Sequence, residues 1–144
     1  MKRIVFNSPD DSMELNGLNN LNSLKSQMVK NFSHFWNEGS GEGDIQIFEN
    51  NVIKSTLMIE PSIEMKMIYL HCIDNVSGKD FLSVYDKNKL DKVVEICDEI
   101  YASEGLFLPL ELAWKGIEEY IRTGQLSKEI EWIMPNDVPE NGNW

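Results

Sequence analysis

The side chains that could do chemistry in this sequence are few and scattered. His34 and His71 are its two histidines, and Cys72 and Cys97 its two cysteines. A histidine beside a cysteine could act as base and nucleophile, or both could ligate a metal. His71 and Cys72 are adjacent in a stretch of strand character, so they point to opposite faces and cannot share a site. His71 therefore reads as structural, as does His34 beside the aromatic residues of a predicted helix. The cysteines form neither a Cys-x-x-Cys nor a zinc spacing, and buried thiols in neighbouring strands are expected. The acid pairs Asp98-Glu99 and Glu118-Glu119 diverge on either a strand or a helix. A two-carboxylate hydrolase is compatible with the composition but has no supporting motif. There is no dinucleotide fingerprint, Walker loop, Gly-x-Ser-x-Gly or His-Glu-x-x-His. The glycines from Gly39 to Gly43 precede no helix, so they read as a flexible loop rather than a phosphate cradle. No catalytic residue, cofactor site or metal ligand is assigned.

The elements that would position any site follow from periodicity. Lys2 to Asn7 predicts a strand. In 15–36, Leu18, Leu21, Leu24, Met28, Phe32 and Phe35 recur at spacings of three and four, which predicts an amphipathic helix. Asp44 to Glu60 predicts a hairpin turning at Asn50-Asn51 and ended by Pro61. Glu64 to Ile73 is apolar on both faces, as a central strand would be. Asn75 to Gly78 predicts a turn, and Phe81 to Tyr85 a further strand. Val93 to Tyr101 is β-branched enough for a strand, while Val93, Ile96, Cys97 and Ile100 would also line one face of a helix. Pro109 suits a helix start, with Leu110, Ala113, Trp114, Ile117 and Ile121 inward, Tyr120 at the edge and Gly124 as the left-handed stop. Ile130 to Ile133 predicts a last strand. Residues 135–144 read as a flexible acidic tail, with Trp144 exposed. The order is roughly β-α-β-β-β-β-β-α-β: an α+β domain over 1–134, with two helices on an antiparallel sheet.

Length and composition suit one domain of 144 residues with an ordinary hydrophobic content of 42%. No apolar run reaches the ~18 residues that span a bilayer. The opening Met1 to Asn7 is too short for a signal-peptide core, so a cytoplasmic protein is expected. A net charge of −11 argues against nucleic acid or anionic membrane as partner, since both need a basic surface. The charge is uneven. Residues 91–119 hold eight acids and two bases, whereas 1–37 hold three acids and four bases. Such a segment is either a solvated face or a surface that steers a cationic protein partner.

Leu108-Pro109, Ala113, Glu119-Tyr120, Thr123-Gly124 and Ile130-Glu131-Trp132 together give a proline-started helix, a Thr-Gly stop and a strand carrying a tryptophan. In these residues the chain resembles the first immunity-protein family of bacterial polymorphic-toxin and contact-dependent growth inhibition systems. The specific likeness covers about a quarter of the sequence; the Asn-rich N-terminal helix and the acidic tail depart from it. The resemblance implies a cytoplasmic, non-enzymatic antitoxin that binds one cognate toxin domain, one to one, without any cofactor. Toxins of such systems are often nucleases or nucleic-acid deaminases, whose substrates demand a basic cleft. Family contacts vary from pair to pair, so none carries over by motif. Charge instead nominates Glu95, Asp98, Glu99, Glu104, Glu118 and Glu119 as toxin contacts. Two alternatives predict different surfaces. A small carboxylate-dependent hydrolase would show a concave pocket with strongly shifted acids. A non-catalytic adaptor subunit would show a large apolar patch.

Overall fold

Alternating apolar side chains build the sheet, and turn residues with left-handed backbone join its strands. The computed structural model describes residues 2–8, 11–15, 20–37, 42–97 and 100–144. Strands β1 (Lys2–Asn7), β2 (Ser12–Glu14), β3 (Gly43–Glu49), β4 (Val52–Ser62), β5 (Met67–Asp74) and β6 (Asp80–Val84) are each antiparallel to their neighbours. With the late strand β10 (Glu131–Ile133) they run in the order β10-β6-β5-β4-β3-β1-β2, and the short β9 (Leu108–Pro109) pairs with the start of β5. The protein is thus α+β, with an antiparallel sheet and few helices, as the periodicity predicts.

Asn50 and Asn51, at φ 53° and 66°, make the tight β3–β4 turn for which paired asparagines are suited. Pro61 does not end β4, contrary to expectation: it pairs with Ile68 inside the ladder. The Ser62 carbonyl accepts the Lys66 amide at 2.9 Å, so Ser62 faces β5. Alternation turns the Pro61 nitrogen the other way, beyond the last β3–β4 pair of Gly43 with Ile59, so its missing N–H interrupts no ladder bond among the described residues. Residues 63–66 form the following turn, so β5 begins at Met67 rather than Glu64.

The helices cover one face. The first helical region is described from Leu21; Leu15, where the helix is predicted to begin, instead follows β2 and donates its amide to Ile4 O at 2.8 Å. It consists of α1 (Leu21–Lys25), a π turn (Ser26–Lys30) and α2 (Phe32–Asn37). The Asn31 amide donates to Ser26 O, five residues back. This extra residue rotates the inward stripe by one position, so Trp36 rather than Phe35 is fully buried, its indole N–H donating to Met28 O at 3.2 Å. Leu18 and 39–41 lie outside the described residues. Helix α3 (Leu110–Thr123) buries Ala113, Trp114, Ile117 and Ile121 as predicted and stops at Gly124, φ 74°. These side chains meet Ile45, Leu57, Ile59, Leu70 and Cys72 from the sheet in the larger core. Each fully buried large side chain contributes about 1.5–3 kcal/mol. Tyr120 is not at the edge: it is 1% exposed, and its hydroxyl donates to Ser55 Oγ at 2.7 Å.

The opposite face is roofed by a separate two-stranded hairpin, β7 (Val93–Cys97) and β8 (Ile100–Ser103). Val93–Cys97 and Ile100–Ser103 are therefore extended, as one of the two readings of Val93 to Tyr101 held, but they pair with each other instead of running as a single strand. Cys72 and Cys97 consequently lie in different sheets, not in neighbouring strands. Val94, Ile96 and Ala102 close a second core with Tyr69, Leu82 and Phe107. Where a flexible tail is expected, segment 135–144 is tied to this roof. Ser103 N donates to Asn143 O at 2.8 Å, Asn143 N to Ser103 Oγ at 2.9 Å, and Asn143 Nδ2 to Tyr101 O at 2.7 Å. The approach requires Gly142, because a Cβ there would lie 2.3 Å from Leu90 O and 2.7 Å from Ser103 Oγ. Among the described residues, no helix is long and apolar enough to cross a membrane.

Candidate functional site

The roofed face carries the ionisable residues that the helix-covered face excludes. In β4, Leu57 and Ile59 point into the helix-side core, so Met58 and Glu60 point to the roof. In β5, Leu70 and Cys72 take the helix side, leaving Tyr69 and His71 on the roof side. The β4–β5 register sets Glu60 opposite Tyr69 and Met58 opposite His71. Gly43 with Ile59 is the last β3–β4 pair, and Glu42, just outside the ladder, lines the same cleft as Glu60. Two neighbouring carboxylates are unfavourable unless one keeps its proton. Burial pushes the Glu60 carboxyl up to about 8, aided by the Glu42 charge and by a hydrogen bond between the two. Glu60 is therefore protonated at neutral pH and holds its proton against Glu42.

Glu42, Glu60, Tyr69, His71, Tyr101 and Trp144 surround a cleft of about 270 Å³ between the sheet, the hairpin and the docked 135–144 segment. Tyr69 is braced edge-on against Phe107, centroids 5.4 Å apart. Burial raises its hydroxyl well above the ordinary tyrosine range, and the nearby Glu60 and Glu42 charges add to the rise. His71 is buried and sits 3.0 Å through Nε2 from Asp80 Oδ2 on β6. The Trp144 ring stands edge-on to His71, centroids 5.4 Å apart. The outer rim is apolar and open: Ile100, Tyr101 and Trp144 are 50%, 46% and 45% exposed. Besides His71, no basic residue lines this cleft among the described residues.

A second hollow, of about 370 Å³, lies between Met65, Met67, Tyr85, Lys89, Glu104 and Phe107. Its lining acid Glu104 is already ion-paired. Glu104 lies 3.1 Å from Lys89 Nζ and 3.4 Å from Lys92 Nζ. The hydrogen bond from Lys89 holds the Glu104 carboxyl below the usual carboxylate range, with the Lys89 and Lys92 charges assisting.

The six acids nominated from charge do not share one surface. Glu95 is exposed on β7, and Glu104 sits beyond β8 in its lysine pairs. Asp98 and Glu99 lie outside the described residues. Glu118 and Glu119 ride on α3, across the sheet from the hairpin; Glu118 lies 3.4 Å from Arg122, and Glu119 accepts from Thr123 Oγ1 at 3.0 Å. Sequence reasoning passed over Glu42 and Glu60 and set His71 aside as structural. The available signal was Glu60, a lone acid in the apolar run from Leu57 to Ile63, two residues from Met58 on the same face. Its pairing with Glu42 depends on the β3–β4 register, which spacing alone does not give. Among the described residues, no group of three or more His, Cys, Asp or Glu is arranged to hold a metal ion. Compared with known protein families, with curated proteins and with solved structures, the chain matches none.

Proposed function

We propose that this protein is an inhibitor, an immunity protein that binds a cognate cationic toxin domain one to one and blocks it without chemistry of its own. The observation that carries this reading is the open apolar rim of Ile100, Tyr101 and Trp144 around a cleft lined by Glu42 and Glu60. Exposed aromatic anchors beside desolvated polar groups are the composition of binding hot spots. The net charge of −11 adds long-range attraction for a basic partner. A toxin acting on nucleic acid, a nuclease or a deaminase, supplies such a partner, because its substrate cleft must be positive. The sequence likeness to immunity proteins over Leu108 to Trp132 supports the same reading.

The test is a cognate-pair experiment. The toxin-candidate domain encoded immediately upstream is expressed with and without this chain, and growth and co-purification are scored. Rescue of growth with a one-to-one complex is expected; toxicity with neither rescue nor complex overturns the reading. A second reading, a carboxylate-dependent hydrolase, draws on one observation, the raised Glu60 carboxyl in a concave cleft. Glu60→Gln separates the two. A catalyst would lose turnover, whereas an inhibitor has no turnover to lose.

A further inference from the structure

We infer that the cleft between the sheet and the hairpin receives the guanidinium of an arginine side chain, presented by the bound partner and held between the Glu42 and Glu60 carboxyls and the rings of Tyr101 and Trp144. The partner's identity as a protein rests on the inhibitor reading above; the arginine specificity rests on the cleft itself. At about 270 Å³ the cleft is smaller than the roughly 300–1,000 Å³ of sites for drug-sized molecules, and suits one long side chain. Its chemistry selects a planar cation. Glu42 and Glu60 line the same cleft and interact with each other, and a guanidinium fork offers parallel N–H donors to both carboxyls. Aromatic rings at the mouth offer faces on which the same plane can stack. A lysine ammonium is a compact, strongly hydrated point charge and gains less from such walls.

The ionisable groups facing the carboxyl pair come from every wall. Tyr69 and His71 project from β5, with Asp80 of β6 on the far side of His71, and Tyr101 belongs to β8. Of these, Glu60 changes state when a cation enters. Its proton, held against Glu42 in the empty cleft, is released to solvent as the guanidinium takes its place. Binding is therefore linked to proton release, and affinity for arginine rises with pH until Glu60 ionises unaided, above about 8.

The experiment titrates the full chain with three blocked tripeptides, carrying arginine, lysine or the neutral isostere citrulline at the centre, while following the indole N–H resonance of Trp144. The arginine peptide is expected to give a saturable shift that tightens from pH 6 to pH 9. The lysine peptide should bind about fivefold more weakly or worse, a difference of about 1 kcal/mol, and citrulline should give no saturable shift. Glu60→Gln should weaken the arginine peptide about tenfold. It retains the shape of the protonated side chain, and a dispersed spectrum will show that it folds. Glu118→Gln, across the sheet on α3, should bind like the wild type. Equal binding of citrulline or lysine overturns the assignment, as does an arginine peptide that leaves Trp144 unmoved or binds Glu60→Gln undiminished. The two readings fail separately. Peptide binding without neutralisation of any toxin keeps the cleft and removes the inhibitor. Neutralisation that Glu60→Gln leaves intact keeps the inhibitor and removes the arginine anchor.

Discussion

Glu60 is the residue whose chemistry departs furthest from its type, and the departure has a stability consequence of definite sign. Its carboxyl titrates near 4.5 when exposed and near 8 in the fold. Between those values the folded chain holds a proton that the unfolded chain has lost. Stability contributed by the protonated form is thus full below pH 4.5, falls as pH rises through 8, and is level above. Glu60→Gln removes the titration and should flatten this slope. Unfolding midpoints compared at pH 5 and pH 9 check it: the variant should gain on the wild type at pH 9 by on the order of 1–3 kcal/mol, after allowing for water at a half-buried site. A wild-type midpoint that does not fall between those pH values would contradict the protonated state assigned to Glu60. Tyr120 teaches the complementary lesson. Helical spacing put it near an edge, yet Ser55 of β4 lies within 2.7 Å of its hydroxyl, and that one acceptor makes full burial tolerable.

Local patterns identified most elements, because the sheet's two faces and the α3 stripe are written at periods of 2 and 3.6. Asn50-Asn51, Gly78 and Gly124 supplied the backbone freedom their positions need, and each was legible as punctuation. What escaped was decided at long range. Pro61 is tolerated only because β3 ends at Gly43, and the π turn shows only in which aromatic residue ends buried. The docking of 135–144 depends on Ser103, which is 40 residues from Asn143 in sequence. The segment's prolines and Asn-Gly read as a flexible tail, but three hydrogen bonds to β8 and the packing of Val138 against the second core hold it. Gly142 is the hinge of that contact, and Gly142→Ala should push the segment off Leu90 and Ser103. The expected loss is about 1–2 kcal/mol, the scale of one or two net hydrogen bonds. It should come with a Trp144 more accessible to quenchers than in the wild type and a weakened response to the arginine peptide. Full retention of both would mean that Trp144 holds its place without the backbone contact.

At the scale of the whole molecule, charge acts through position as well as amount. The two faces of the sheet present acids in different company. On the α3 side, Lys25 lies 3.3 Å from Glu111, Arg122 lies 3.4 Å from Glu118, and Lys115 lies 3.5 Å from Glu129, so cations of the same surface offset much of the field. On the roof side, Glu104 is held by Lys89 and Lys92, but Glu42 and Glu60 line the cleft with no lysine or arginine beside them among the described lining residues. The proposed basic partner would be drawn to a protein of net charge −11 from any direction, and docking on the roof side would orient it against the rim of Ile100, Tyr101 and Trp144. Two double reversals separate position from total charge, since each raises the net charge equally. Glu95→Lys with Asp98→Lys should slow association with the cognate toxin about tenfold or more at low ionic strength, while Glu118→Lys with Glu119→Lys should slow it by less than half of that. The gap should close as salt shortens the screening length to about 3 Å near 1 M. Stopped-flow association rates across a salt series check this. If the two pairs slow association equally at every ionic strength, only total charge steers the encounter, and the roof side loses its claim to be the docking face.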